Sequence, residues 1–135
     1  MPLRWKVLHD QRLVHIVAEG VVTRKDLEEH FDAVVVENGL EYGKLFDASR
    51  AEPVYGDADV LEVGARLSAY TATMKSGPLA VVGTGEALES AFRRFVNISP
   101  SQRPARLFRT EAEARAWLAS VADQVADQRG RDHFG

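Results

Sequence analysis

Asp47 and Ser49 stand two residues apart, and the chain carries four histidines, His9, His15, His30 and His133. Serine, histidine and carboxylate are the parts of an acyl-transfer triad. That chemistry needs a serine thrust out on a sharp strand-to-helix elbow, and no Gly-x-Ser-x-Gly run occurs. Asp47 then reads as the cap of its own loop. No two histidines have the i, i+4 spacing that would set both on one helix face. His9 and His15 face each other if they flank a hairpin, with Asp10 between them, but zinc asks for three or four ligands. Cysteine is absent, which excludes disulfides, thiolate metal sites and cysteine nucleophiles. Gly83-Thr84-Gly85 lacks the third glycine of a dinucleotide loop and the acidic residue expected about 20 positions on. No catalytic motif is present, so the chain reads as a non-enzyme, and no cofactor or metal is implied.

The elements that would position these residues follow from patterning. Leu3, Trp5 and Val7 alternate with Arg4 and Lys6, the period of a half-buried strand with a charged edge. Asp10-Gln11 turns the chain, and Arg12 to Glu19 predicts a second strand ended by Gly20. Thr23 with Asp26 marks a helix start, Leu27, Phe31, Val34 and Val35 form its apolar stripe, and Asn38-Gly39 stops it. Lys44 to Asp47 predicts a short third strand, followed by a loop from Ser49 to Gly56. Val60, Gly64, Leu67, Tyr70, Thr71 and Met74 give a second helix, broken by Ser76-Gly77-Pro78. Leu79-Ala80-Val81-Val82 is a continuous apolar run, the mark of a strand covered on both faces. Thr84 caps a third helix bearing Leu88, Ala91, Phe92 and Phe95. Arg106 to Phe108 is the last strand, and Thr110 with Glu113 is a capping box for a helix carrying Ala114, Trp117, Leu118, Val121 and Val125. The order ββαβαβαβα predicts an α/β fold: a mixed sheet with an antiparallel hairpin, mostly parallel later strands and helices packed on it.

The 135 residues fit one domain, expected over 1–128 with a frayed tail at 129–135. Hydrophobic residues make up 45% and charged residues 27%, an ordinary globular balance. A formal net charge of -3 does not favour nucleic acid as a partner. The opening Met1-Pro2-Leu3-Arg4-Trp5-Lys6 lacks the apolar core of a signal peptide, and no apolar run approaches the roughly 20 residues of a membrane span. The expected compartment is the cytoplasm.

The chain resembles the STAS superfamily and, within it, the SpoIIAA-like proteins, over about residues 3 to 125. The resemblance is carried by Gly20 to Leu27, by Lys44-Leu45-Phe46-Asp47, by Leu79 to Val82, and by Arg106 to Leu118. It implies an interaction or regulatory module that binds a protein partner. Anti-sigma-factor antagonists of this family are switched by phosphorylation in an Asp-Ser-Ser/Thr-Gly pattern at the helix after the third strand. Here that region reads Val54-Tyr55-Gly56-Asp57-Ala58-Asp59-Val60, whose one hydroxyl is a tyrosine, and Ser49 lies earlier.

Ligands of open α/β sheets bind beyond the C-terminal strand ends. The binding residues expected at that rim are Asp47, Ser49, Arg50, Tyr55, Asp57 and Thr84, facing a protein partner or a small apolar or anionic ligand. The alternative is a small-molecule or lipid carrier, with a cavity beneath the second helix lined by Tyr70, Met74, Phe92 and Phe95. A homodimer through the hairpin edge beginning at Trp5 is a further expectation.

Overall fold

β1 (Leu3–Leu8) and β2 (Leu13–Val22) form the antiparallel hairpin, in the register Leu3↔Ala18 to Leu8↔Leu13. The turn closes with Gln11 N–H donating to Leu8 O at 3.1 Å and holds Arg12 at φ 50°. The computed structural model describes residues 2–53, 57–71, 77–98 and 104–121, with the backbone alone at Pro53, Asp57, Leu67, Tyr70, Thr71 and Ile98. Tyr55, Met74, His133 and the expected tail at 129–135 lie outside the described residues.

Seven further elements follow among the described residues: α1 (Arg24–Val36), β3 (Gly43–Pro53), α2 (Asp57–Thr71), β4 (Leu79–Val82), α3 (Glu86–Ile98), β5 (Ala105–Phe108) and α4 over residues 111–121. The five strands lie in the order β1-β2-β3-β4-β5. β2 to β5 are parallel, so the mixed sheet expected from the element order is present. Crossovers that all advance in one direction put α1, α2 and α3 on one face of the sheet. On that face Val14, Ile16 and Ala18 pack with Leu27, Phe31, Val34 and Val63. The opposite face buries Leu13, Leu45, Ala80 and Val82 under Ala114 and Leu118 of α4. Full burial of each of the valine, leucine, isoleucine and phenylalanine side chains is worth about 1.5–3 kcal/mol. All four β4 residues are buried, as a strand covered on both faces must be.

Helix ends follow local chemistry. Thr23 caps α1: its hydroxyl accepts from the Asp26 amide, and its own amide donates to Asp26 Oδ2 at 2.9 Å. Asn38 takes φ 62° and the Gly39 amide donates to Val34 O, which ends the helix as the Asn-Gly pair predicts. At α4 the Glu113 amide donates to Thr110 Oγ1 and the hydroxyl donates to Glu113 Oε1 at 3.0 Å. Gly77 is needed for closeness: a Cβ there would fall on the carbonyl oxygens of Glu41 and Tyr42.

Three expectations are corrected. β3 does not end at Asp47; it runs to Pro53, so Ser49 and Arg50 lie on a strand and not in a loop. The reason is non-local. β2 continues past Gly20 to Val22 and supplies partners for Ala51, Glu52 and Pro53. β4 pairs with β3 only as far as Asp47, so this extension has one open side and tolerates a proline. Thr84 does not cap α3. The first helical hydrogen bond runs from Glu89 N–H to Gly85 O, which gives the cap position to Gly85 at φ 106°, a conformation open to glycine. His9 and His15 do not face each other: His15 pairs with Lys6, and His9 lies in the turn.

Candidate functional site

The C-terminal rim is built on a bulge. Val17 pairs with Asp47 and Glu19 with Arg50, so two steps along β2 match three along β3. The extra residue is absorbed at Ala48-Ser49, where Asp47 Oδ1 accepts both the Ser49 amide at 3.0 Å and the Ser49 hydroxyl at 2.6 Å. Such a bulge bends its strand and re-aims the next side chains. Ser49 and Arg50 are exposed, and Arg50 reaches back to Glu19 at 4.0 Å, which Arg4 also holds at 2.7 Å. Asp47 is opposite Val82, and a Cβ on Gly83 would lie 3.4 Å from the Ala48 backbone. The exposed Thr84 therefore stands beside the bulge. The fold brings Asp47, Ser49, Arg50 and Thr84 to one rim, with the backbone of Asp57 opening α2.

The histidines are dispersed. His9 shares a 2.8 Å hydrogen bond with Tyr42 Oη, and Arg12 lies over the same ring. His15 Nε2 is 3.6 Å from Glu111. Among the described residues none is hydrogen-bonded to Ser49 or Asp47, and no group of three His, Asp or Glu side chains is placed to hold a metal ion. Among the same residues, no helix is long and apolar enough to cross a membrane.

A second feature is a pocket partly open to solvent. A cavity of about 90 Å³ lies between the sheet and its helices. Its walls include Phe31, Phe46, Leu88, Phe92 and Phe95. Phe92 and Phe95 are the phenylalanines expected to line a cavity beneath the second helix, but among the described residues no part of this wall comes from α2. Of the other two residues expected there, Met74 and the side chain of Tyr70 lie outside the description. Two polar residues join the wall, His30 and Lys44, each 2% exposed. Lys44 Nζ donates to the carbonyls of Leu40 and Tyr42, the latter at 2.9 Å. His30 rests edge-on against Trp5, and its Nδ1 has no hydrogen-bond partner among the described residues. Burial, helped by the positive charge of Lys44, lowers the His30 pKa from 6.5 to about 4, so the ring is neutral near pH 7.

Neither residue belongs to a recognisable motif, yet each breaks an apolar pattern in the sequence. His30 falls in the stripe of Leu27, Phe31 and Val34, and Lys44 shares a strand face with Phe46 and Ala48. A polar residue at an inward-facing position is the informative exception to a core pattern.

No protein-family model matches the chain, and no curated protein does. Solved structures do. An uncharacterised DUF3478-family protein from Shewanella loihica PV-4, with a SpoIIAA-like fold, matches 86% of this chain and 91% of its own at 20% identity and TM-score 0.57. The anti-sigma factor antagonist SpoIIAA, in its unphosphorylated form, matches 87% of this chain and 97% of its own at 11% identity and TM-score 0.53. The hairpin, the parallel strands that follow it and the helices around them therefore make a SpoIIAA-like, STAS-type fold.

Proposed function

We propose that this chain is a non-enzymatic interaction module that meets a protein partner in the cytoplasm. Its surface is the rim of Asp47, Ser49, Arg50 and Thr84, with Tyr55 and Asp57, which follow β3 in the sequence, as further candidate contacts. The observation that carries this reading is the bulge at Ala48-Ser49, which sets an exposed serine and an exposed arginine beyond the paired part of the sheet. Bulges recur where a side chain must be re-aimed. SpoIIAA, an antagonist of an anti-sigma factor, acts on a protein, and the shared fold supports the same class of role here. The absence of cysteine suits a reducing compartment. Partner sets from wild type and from the triple variant Ser49→Ala, Tyr55→Ala, Asp57→Ala, compared by quantitative mass spectrometry at matched stability, test it. A partner lost from the variant supports the rim; unchanged sets sink it.

A second reading, a small-molecule carrier, is favoured by the cavity and its polar wall. Native mass spectrometry of protein purified without refolding separates the two, because a carrier retains a ligand. A homodimer through the β1 edge is compatible with either reading, and a monodisperse monomer in light scattering removes it.

A further inference from the structure

We propose that the outer edge of β1 is a docking site for an extended segment of a partner protein, one that alternates acidic and apolar residues and adds to the sheet as a further strand. The site is separate from the rim and does not depend on it.

β1 ends the sheet on one side, and among the described residues no strand pairs beyond it. The hairpin register tells which of its backbone groups stay free. The Glu19 amide donates to Pro2 O at 2.8 Å, and these two residues continue the ladder that sets Leu3 opposite Ala18. Hydrogen-bonded pairs alternate along an antiparallel ladder. Arg4, Lys6 and Leu8 therefore bond to β2, and Leu3, Trp5 and Val7 turn amide and carbonyl outward. Edges are commonly blunted by a proline, a bulge, a very short strand or charge. β1 runs for 6 residues without a proline, and its register with β2 is unbroken. Charge is its one protection.

That charge selects the occupant. Arg4 and Lys6 are exposed on one face of the strand, and Trp5 and Val7 are half-buried on the other. Lys6 has no ion pair among the described residues, and Glu19 is shared between Arg4 at 2.7 Å and Arg50 at 4.0 Å. The edge is thus positive on a chain of net charge -3. A second copy fits it poorly. Two β1 strands paired about a two-fold axis set Arg4 against Lys6, Lys6 against Lys6 or Arg4 against Arg4, according to register, and like charges directly opposite are destabilising. A strand with acids opposite Arg4 and Lys6 turns that repulsion into attraction. It does so at the non-hydrogen-bonded pairs, where facing side chains lie closer. Its alternate residues fall beside Trp5 and Val7, which offer apolar surface. In such additions the main chain gives affinity and the alternate side chains give specificity.

The test uses the full chain with two capped peptides, Glu-Val-Glu-Val-Glu-Val-Glu and its counterpart with lysine for glutamate. Binding is followed by calorimetry and by amide hydrogen exchange, read residue by residue in NMR. The expected result is saturable binding of the glutamate peptide, slowed exchange at the Leu3, Trp5 and Val7 amides, and about tenfold weaker binding of the lysine peptide. Lys6→Gln should narrow that gap. Methyl groups on the valine nitrogens of the glutamate peptide, which face β1, should abolish binding. Equal binding of the two peptides, or an unchanged gap in Lys6→Gln, overturns the acidic assignment. Binding that leaves the Leu3, Trp5 and Val7 amides unprotected, or that survives methylation, overturns the edge as the site. A wild-type dimer in light scattering that protects these same amides gives the edge to a second copy and overturns the partner. No binding at millimolar peptide overturns the proposal outright. The rim stands or falls separately, on the partners lost from its own triple variant.

Discussion

His30 on α1 and Lys44 on β3 lie in the wall of one cavity, each 2% exposed, and the charge of the lysine helps keep the imidazole unprotonated. The pair joins two elements that meet only through the fold. It sits where every other inward position of its strand and helix stripe is apolar, so it marks the cavity chemically.

The first consequence is a pH dependence with a fixed sign. In the unfolded chain His30 takes a proton near 6.5, and in the fold it resists until about 4. Below 6.5 the unfolded state binds the extra proton, so stability falls as pH drops from 6.5 toward 4 and this contribution then levels off. The gap corresponds to about 3 kcal/mol at most. Urea unfolding across this range should show the loss in wild type and a shallower loss in His30→Phe. Parallel slopes for the two proteins would mean that His30 is not held neutral.

A second prediction concerns the approach of two chain segments. Gly77 has its amide on Leu40 O at 2.9 Å, and a Cβ there would strike the Glu41 and Tyr42 carbonyls. Backbone atoms cannot swing aside as a side-chain tip can. Gly77→Ala should cost about 2 kcal/mol, within the range of overpacked sites, and lower the melting temperature by about 8 °C. The carbonyls of Leu40 and Tyr42 also hold Lys44, so the variant should weaken the cavity end with it.

The helix starts offer a matched pair. Thr23 caps α1 by side chain, whereas Thr84 lies one residue before the cap of α3. Thr23→Ala should lose about 1 kcal/mol. Thr84→Ala should stay within about 0.5 kcal/mol, the range for exposed sites away from such features. Equal losses in denaturant melts would restore Thr84 as the cap.

What was legible in the sequence was local. Thr23 with Asp26, Asn38 with Gly39 and the run Leu79–Val82 each carry their structure in a few neighbouring residues, and the fold repeats them. What was not legible depends on partners distant in the chain. Ser49 to Pro53 looks like a loop because of its turn-forming residues, and becomes a strand because β2 extends beside it. Gly85, not Thr84, caps α3 because a backbone angle decides it, and residue type alone does not report that angle. Asp47, Ser49, Arg50 and Thr84 were placed on one rim from strand ends alone, which parallel topology then assembles. His30 and Lys44 were visible as breaks in two apolar patterns. They become a site only when α1, α3 and β3 close around a space, and no local pattern encodes that closure.

The last prediction concerns how α2 is held beside the cavity helices. Arg66 on α2 donates to both carboxylate oxygens of Asp32 on α1, Nε to Oδ1 at 3.0 Å and Nη2 to Oδ2 at 2.8 Å, and also approaches Glu28 at 3.9 Å. Arg24 on α1 reaches across the same seam to Glu62 and, at 3.9 Å, to Asp59. Val63 packs beneath these pairs with Val34 and Phe31. The charges are partly exposed, so each pair is worth at most about 1 kcal/mol. Arg66→Lys keeps the charge and loses the planar fork, which isolates the geometric part of the clasp. Its loss should be about 0.5 kcal/mol at low salt and should shrink in molar salt, where exposed charges are screened. Val63→Ala should cost about 1–3 kcal/mol at both salt concentrations, because its contribution is burial. If instead Arg66→Lys loses as much in high salt as in low, the loss comes from the packing of the flat guanidinium and not from its charged pairing with Asp32.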